Sequence, residues 1–260
     1  MEKMKKDTQY IINKIKEYSM IPSQSGQEKV FLDYLKSEFP NHNYSLQEHP
    51  DCLFYKYKKP TKWLVIAHTD RIPVPKFKFE IIDKTLIKGQ LDNVISVAIL
   101  RLLVEENIPV NILFTTEEET LKSCPQIVNI SYGKNYSVLE LDIDVATSKD
   151  EVIEGSISLR DRDNSAEFDK ELVAYMKKIC DRNNIRYITK DGDWLVDELG
   201  CTIAGVPSIK GCYVGVPIWE YHSNKEIVNI KCIENAIKLF ECIKKEVPDN
   251  ECKNIKNFIS

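Results

Sequence analysis

Short apolar runs alternate with amphipathic segments along most of the chain. Apolar residues at three-to-four spacing predict two helices near the start, at Thr8–Tyr18 and Glu28–Phe39. The same spacing predicts later helices at Asn93–Glu106, Glu167–Arg182 and Ile230–Glu246. Short β-like runs predict strands at Leu53–Tyr57, Leu64–Ala67, Phe77–Ile82, Val110–Thr115, Ser137–Ile143, Ile157–Arg160, Ile185–Thr189 and Ser208–Val214.

This alternation of strands and helices predicts an α/β fold. It is typical of a three-layer α/β/α sandwich around a mixed, mainly parallel central sheet. Because no internal repeat or low-complexity linker interrupts the pattern, the simplest interpretation is one domain over residues 1–260, with a core at about 8–246. The tail, 247–260, contains Pro, Asn and Lys and is predicted to fray.

Composition narrows the class of protein. The chain has 260 residues, of which 43% are hydrophobic, enough for one sizeable core. A net charge of −4 argues against a nucleic-acid partner, which would require a basic face. No apolar run approaches the roughly 18 residues that span a bilayer. The eight cysteines are dispersed, and Met1–Lys16 is charged rather than apolar, so we expect a cytoplasmic protein with reduced thiols and no membrane contact.

A histidine directly follows one buried strand. The apolar run Leu64–Ala67 leads into His68, with Asp70 two residues further on. Ligands in open α/β sheets gather at the carboxyl ends of strands. The carboxylate of Asp70 could accept the hydrogen bond from the ring nitrogen that faces away from a metal. The alternative is a core histidine without a metal and a solvated aspartate.

Two acidic elements come next. Asp92 precedes an apolar helix and could cap it, or could use both carboxylate oxygens to bridge two cations. Glu117, Glu118 and Glu119 follow the strand Asn111–Thr116. Adjacent carboxylates repel one another unless they are solvated or neutralised by cations. A solvated acidic turn and a metal site are therefore both open interpretations.

Two more candidates lie after later strands. Asp142 and Asp144 stand at the carboxyl end of an apolar run, and His222 follows the run Ser208–Val214 and its turn. Histidine with carboxylate suits Zn²⁺, Co²⁺ or Mn²⁺, and the scattered cysteines argue against a structural zinc site. Together the strand-end acids and imidazoles predict a metal site. The remaining histidines, His42 and His49, lie in a polar stretch and are predicted to be on the surface.

The order His-x-Asp, Asp-Asn, Glu-Glu, Asp, His resembles the co-catalytic metallo-aminopeptidases. These include the tetrahedral (glutamyl and deblocking) aminopeptidases and the bacterial leucyl aminopeptidases. Ile21–Glu28 resembles the family segment I-P-S-x-S-G-x-E, and His222–Glu226 resembles its H-S-x-x-E motif. The similarity spans Tyr18 to Phe240. It implies the zinc-exopeptidase (phosphorylase/hydrolase-like) fold, a single catalytic domain and hydrolysis of the N-terminal bond of peptides.

The resemblance also implies residue roles. Two divalent ions, zinc with cobalt or manganese as alternatives, would be held by His68, Asp92, Glu119, Asp142 and His222. Asp70 would orient His68, and Glu118 would be the general base. Two assignments leave an alternative open. Glu117 and Glu118 could replace the Glu118 and Glu119 frame, and Asp144 could replace Asp142.

Several features depart from the family pattern. Ser96 stands where the family has glycine, Thr120–Ser123 replaces the G-L-x-G segment, and Trp219 replaces an arginine. The short segment between His68 and Asp92 leaves no room for the assembly domain of tetrahedral aminopeptidases. The segment between the glutamates and the final histidine is needed for core elements, so no lid domain is expected. We therefore expect a monomer or small homo-oligomer that acts on peptides.

Two other functions fit the same residues. The chain could be a metal-dependent amidohydrolase acting on a non-peptide or N-acyl amide, or a catalytically inactive peptide-binding relative. Other chemistries lack their motifs, since the sequence has no Gly-x-Ser-x-Gly, phosphate-loop or dinucleotide-binding pattern. Cys212 could suggest a thiol nucleophile, but its apolar strand favours a core position.

Overall fold

The helices and strands alternate along the chain. The computed structural model describes residues 2–39, 43–74, 78–192 and 195–246. The helices are α1 (Glu2–Ser19), α2 (Lys29–Glu38), α3 (Val94–Glu105), α4 (Cys124–Ser131), α5 (Lys149–Glu154), α6 (Lys170–Arg182), α7 (Glu198–Gly205) and α8 (Ile230–Glu246). The strands are β1 (Tyr44–Glu48), β2 (Leu53–Tyr57), β3 (Trp63–His68), β4 (Glu80–Ile82), β5 (Leu86–Gly89), β6 (Asn111–Thr115), β7 (Ser137–Val145), β8 (Ile157–Asp163), β9 (Tyr187–Gly192), β10 (Lys210–Trp219) and β11 (Glu226–Asn229).

These strands form one mixed sheet flanked by helices, which confirms the predicted α/β fold. Its order is β1-β2-β6-β3-β7-β10-β11-β5-β4, with β8 pairing with both β10 and β9. The central neighbours β6, β3, β7 and β10 are parallel. Antiparallel pairs lie towards both edges of the sheet. Parallel neighbours bring their carboxyl ends to the same edge, so the residues that follow them converge there.

The central strands β3, β6 and β7 are buried over almost their whole length. All residues of β3 and β6 are buried, and so are Val138–Asp144 within β7. Continuous apolar runs of this kind are typical of strands covered by helices on both faces. The ionisable exceptions are His68 at the end of β3 and the acids Glu140, Asp142 and Asp144 on one face of β7, and side chains of this kind are unusual in a core.

The helices differ in how much of their surface they bury. Every residue of α3 from Val94 to Leu100 is buried, and α3 packs against α1, α8 and the strands β3 and β7. A helix that is apolar all round is expected in such a central position. In contrast, α6 is amphipathic and begins after Asp169, whose Oδ1 accepts a hydrogen bond from the backbone N–H of Leu172 at 2.8 Å.

The predicted helices and strands match elements of the structure, but the prediction omitted several short elements. Each predicted helix has a counterpart, as does each predicted strand, with α1 longer and α6 shorter than expected. The first residue of the predicted strand Phe77–Ile82 and the tail 247–260 lie outside the described residues. The prediction omitted six elements, namely β1, β5, β11, α4, α5 and α7.

The structure also describes most of the cysteines, one of the two histidines predicted to be on the surface, and the hydrophobicity of the helices. The seven cysteines that the structure describes are free thiols, and Cys212 is fully buried in β10. His49 is exposed, as expected for a surface histidine, whereas His42 lies outside the described residues. Within the described ranges, none of the helices combines the length and hydrophobicity needed to cross a bilayer.

Candidate metal centre

The parallel strands carry the candidate ligands to one edge of the sheet. His68 is the last residue of β3 and pairs in register with Thr115, the last residue of β6. On the other side of β3, Ile66 pairs with Glu140, which places Asp142 two residues further along β7, level with His68. The glutamates that follow β6 therefore emerge beside His68. This is the convergence that the strand order predicts.

One group of side chains surrounds the first imidazole. His68 Nε2 lies 3.1 Å from Asp92 Oδ1 and 3.3 Å from Asp142 Oδ1. Glu118 Oε2 lies 4.0 Å from the same nitrogen. All four side chains are buried or nearly so. Three carboxylates thus face one ring nitrogen in a region from which water is largely excluded.

A second group surrounds the other imidazole. His222 Nε2 lies 3.2 Å from Glu119 Oε2 and 3.5 Å from Asp92 Oδ2. The His222 side chain is 36% exposed, so this group borders the solvent. Asp92 takes part in both groups through different oxygens. The two imidazoles are accordingly held on opposite sides of one carboxylate.

The backbone around Asp92 is held by a distant carboxylate. Glu226, on β11, accepts hydrogen bonds from the backbone N–H groups of Leu91 and Asp92 through its Oε2. Asn93 Nδ2 donates to the carbonyl oxygen of Leu141 at 3.2 Å, which ties the start of α3 to β7. The Asp92–Asn93 peptide bond is cis. Glu226 is the last residue of the H-S-x-x-E motif, so the motif joins the second imidazole to the support of Asp92.

Asp70 links the first imidazole to the glutamate turn. Its Oδ1 lies 3.5 Å from His68 Nδ1, on the side of the ring away from Asp92, and its backbone carbonyl lies 3.1 Å from that nitrogen. Its carboxylate also accepts hydrogen bonds from the backbone N–H groups of Glu118 and Glu119, at 3.0 and 3.1 Å. Ser25 Oγ donates to Asp70 Oδ2 at 2.7 Å. One fully buried carboxylate therefore orients both the imidazole and the turn.

The three adjacent glutamates have different surroundings. Glu117, in a left-handed conformation with φ of 57°, directs its carboxylate to Lys122 Nζ at 2.9 Å and is partly exposed. Glu118 is buried beside His68, and Glu119 contacts His222. The backbone turn at Glu117 thus separates one solvated acid from two that face the imidazoles. The geometry favours Glu118 and Glu119 over the alternative pair.

The two aspartates of β7 also separate. Asp142 faces His68, whereas Asp144 Oδ1 accepts a hydrogen bond from Arg160 Nη2 at 2.6 Å. Both side chains are on the same face of β7, because Asp144 lies two residues beyond Asp142 along the strand. Its charge is balanced by the guanidinium. The geometry therefore favours Asp142 as the partner of the first imidazole.

Electrostatics in this cluster reflect an excess of buried carboxylates. Burial opposes a positive charge on His68, yet Asp142 and Glu118 raise its pKa well above the ordinary value. Burial likewise opposes charge on His222, while Asp92 and Glu119 raise its pKa to about 10. Burial also raises the pKa values of Glu118, Glu119 and Asp142. The surrounding carboxylates thus favour positive charge at the two imidazoles, and a divalent cation could supply that charge instead.

The residues fit a divalent cation on two observations. Glu119 Oε1 is buried without a hydrogen-bond partner, and Asp92 Oδ1 makes no hydrogen bond although His68 Nε2 lies 3.1 Å away. Ligand atoms of His68, Asp92 and Glu119 lie within 4.8 Å of one another. Buried carboxylate oxygens without partners are costly in a protein core, and coordination to a cation would satisfy them. Imidazole with carboxylate is also the donor set of zinc, cobalt and manganese sites.

Further buried acids adjoin the cluster and were not among the predicted residues. Glu140, on β7, has both carboxylate oxygens buried without hydrogen-bond partners. Glu198 begins α7, accepts a hydrogen bond from Thr115 Oγ1 at 3.0 Å, and burial raises its pKa to about 7. A signal for Glu140 was present, since it shares a strand face with Asp142. No such sequence signal existed for Glu198, because nothing in its local sequence places it beside β6.

Solved structures with the same fold include aminopeptidases and other peptidases. An aminopeptidase from the archaeon Desulfurococcus kamchatkensis superposes with a TM-score of 0.79 at 13% identity, covering 92% of this chain and 96% of that one. The TET1 peptidase of Pyrococcus horikoshii gives 0.75 at 17%, with 91% and 100% covered. A tripeptidase from Staphylococcus aureus gives 0.65 at 12%, with 92% and 99% covered. At these identities the likeness shows the fold.

Sequence comparison with protein families assigns the class. No curated protein matches the chain. The family model described as M42 glutamyl aminopeptidase matches residues 55–239, which include every candidate ligand and the strands that carry them. This match covers well over half of the chain and agrees with the resemblance drawn from the motifs. The chain belongs to the M42 glutamyl aminopeptidase family and is a peptidase.

Proposed function

We propose that this protein is a two-metal aminopeptidase that removes the N-terminal residue of peptides. The observation that carries the proposal is the position of Asp92 between the two imidazoles. Its Oδ1 lies 3.1 Å from His68 Nε2, and its Oδ2 lies 3.5 Å from His222 Nε2. A carboxylate whose two oxygens face two different imidazoles suits a bridge between two cations better than a single site.

The side chains divide into two ligand sets that share Asp92. His68, Asp92 and Asp142 would hold one cation, and Asp92, Glu119 and His222 the other. Zinc suits this donor set best, with cobalt and manganese as alternatives. Such a pair, when bound, polarises the scissile carbonyl and lowers the pKa of a water molecule.

Glu118 is the group that would move the proton. It is buried beside the first ligand set, it is not needed to complete either set, and burial raises its pKa well above the ordinary value. A carboxylate with that environment can take a proton from the attacking water on its Oε2 and deliver it to the leaving amine. The backbone hydrogen bond from Glu118 to Asp70 keeps this side chain in position.

The experiment that tests the activity compares matched peptides. The metal-loaded protein is incubated with a short peptide carrying a free amine and with the same peptide N-acetylated, and products are identified by mass spectrometry. We expect stepwise shortening from the amino end of the first peptide only. Cleavage of the acetyl group instead would support the amidohydrolase alternative. Recovery of both peptides intact, with stoichiometric metal bound, would contradict the peptidase proposal.

Metal content gives a second test. Wild-type protein purified without chelator is expected to bind two divalent ions per chain, measured by inductively coupled plasma mass spectrometry. His222→Ala removes a ligand from the second set only, so we expect about one ion to remain, held by the set around buried His68. His49→Ala, which replaces an exposed histidine, is the matched control and should bind two. Loss of both ions, or retention of both, in His222→Ala would contradict two separable sets.

The domain organisation, location and oligomeric state of the protein are also proposed. We propose a single catalytic domain over residues 1–260 in a cytoplasmic protein that is a monomer or small homo-oligomer. The support for a small assembly is that the described residues between His68 and Asp92 form only the short strands β4 and β5. The Pyrococcus horikoshii relative can assemble into a tetrahedron or a large octahedral shell. A segment this short offers no comparable assembly domain.

A further inference from the structure

A cavity of about 390 Å³ lies at the carboxyl end of β7, the strand that carries Asp142. Its walls come from the carboxyl end of β7 together with α5, β8 and β9. The charged residues that line it are Asp144, Glu151, Arg160, Lys190 and Asp191. None of them belongs to the proposed ligand sets, so the cavity is a separate feature of the molecule.

The strand β7 connects the cavity with the candidate metal centre. Asp144 forms part of its lining and lies two residues beyond Asp142 on the same face of β7. Residues two apart on a strand are separated by about 7 Å. An extended amino-acid side chain spans a comparable distance.

Both cations in the cavity lining already have partners. Arg160, which is 1% exposed, lies between the carboxylates of Asp144 and Asp197 and over the ring of Tyr213 at 3.9 Å. Lys190 Nζ lies 2.7 Å from a carboxylate oxygen of Glu151 and donates to the carbonyl oxygen of Val145. Neither is available to bind an acidic side chain without losing an existing ion pair.

The acids in the lining are not fully matched. Asp144 is 1% exposed, and its Oδ2 has no hydrogen-bond partner, with Lys190 Nζ 3.8 Å away. Asp144, Glu151 and Asp191 give three negative charges against two positive charges from Arg160 and Lys190. A buried carboxylate oxygen that lacks a donor is costly. Among the lining residues that the structure describes, one negative charge therefore has no matching cation.

We propose that this cavity binds the side chain of the substrate's N-terminal residue and selects a cationic one, lysine or arginine. This inference rests on the proposed aminopeptidase function. The substrate's ammonium or guanidinium group would donate to Asp144 Oδ2. The apolar side chains of Val145, Ile188 and Leu195 in the lining would contact its methylene groups.

The test uses two substrates of the same shape. Lysyl-naphthylamide and norleucyl-naphthylamide have unbranched side chains of similar length that differ in the terminal ammonium. We expect kcat/KM for the lysyl substrate to exceed that for the norleucyl substrate by about 10- to 100-fold, the range for a hydrogen bond to a charged group. Glu151→Gln and Asp144→Asn should each lower this ratio, by about 10-fold for Asp144→Asn.

Matched controls separate this proposal from the proposed function. Glu154→Gln changes an exposed acid on the same helix as Glu151 but outside the cavity, and its ratio should equal that of the wild type. Thermal unfolding of each variant checks that it is folded. If Asp144→Asn does not fold, Glu151→Gln still tests the proposal. Hydrolysis of the norleucyl substrate without preference for lysyl, or a preference for glutamyl-naphthylamide, would overturn the cavity proposal alone. Failure to hydrolyse any aminoacyl substrate would overturn the proposed function.

Discussion

Replacement of Glu118 by glutamine is expected to lower kcat on aminoacyl-naphthylamides by about 10³-fold, within the range for a general acid–base group. Glutamine keeps the size of the side chain but cannot take a proton from water. Because Glu118 completes neither proposed ligand set, the variant should still bind two ions per chain. Steady-state kinetics together with metal analysis of the same preparation measures both quantities. A large fall in kcat with unchanged metal content would separate proton transfer from metal binding.

Glu117→Gln is the matched control, since it makes the same change in the adjacent residue. Glu117 is partly exposed and pairs with Lys122, so its replacement should alter kcat by less than about threefold, as expected for a solvated pair of small energetic effect. The two variants together also decide between the frames of the glutamate run. Full turnover in Glu118→Gln with normal metal binding, or a collapse of kcat in Glu117→Gln, would contradict the assignment of the base.

The strands that carry the candidate centre were predictable because their sequences are unambiguous. Runs such as Leu64–Ala67 and Ile112–Phe114 are apolar over their whole length, which favours central strands buried on both faces. Once such strands are parallel, polar residues directly after them converge at one edge. That rule brought together His68, Asp142 and the glutamates, although they are far apart in sequence.

Peripheral elements were missed because they carry weak local signals. The strands β5 and β11 have four residues each and mix polar with apolar residues. They pair with each other, and β11 also pairs with β10, so their stability comes from the sheet. The helix α7 contains two glycines, which lower helix propensity. The helix α5 has six residues, fewer than an isolated helix requires. Tertiary packing decides the structure of such segments, and local sequence does not report it.

The distinction between Asp142 and Asp144 was likewise out of reach of the sequence. Both follow the same apolar run with the same side-chain orientation, so periodicity treats them alike. The difference comes from Arg160, which reaches Asp144 because β8 pairs antiparallel with β10. The register of two strands distant in sequence thus assigns one aspartate to the imidazole and the other to a guanidinium.

That buried guanidinium gives the second large prediction. Replacement of Arg160 by methionine should lower the free energy of unfolding by about 3–5 kcal/mol, the usual cost of breaking a buried ion pair by removing one partner. The variant leaves the carboxylates of Asp144 and Asp197 in the core without their shared cation. It also loses the contact between the guanidinium and the ring of Tyr213. Urea titration followed by circular dichroism measures the change.

Charge compensation distinguishes this mechanism from a simple loss of packing. If unpaired carboxylates cause the loss, adding Asp144→Asn and Asp197→Asn to Arg160→Met should recover at least half of it, because the buried charges are then removed together. Arg186→Met is the surface control. Its guanidinium pairs with Glu154 in solvent, with the arginine side chain 55% exposed, and its loss should cost less than about 1 kcal/mol. If Arg160→Met were as mild as Arg186→Met, the three buried side chains would not form the ion cluster that holds β7, β8 and the start of α7 together. Other contacts would then have to hold Asp144 and Arg160 in the lining of the cavity.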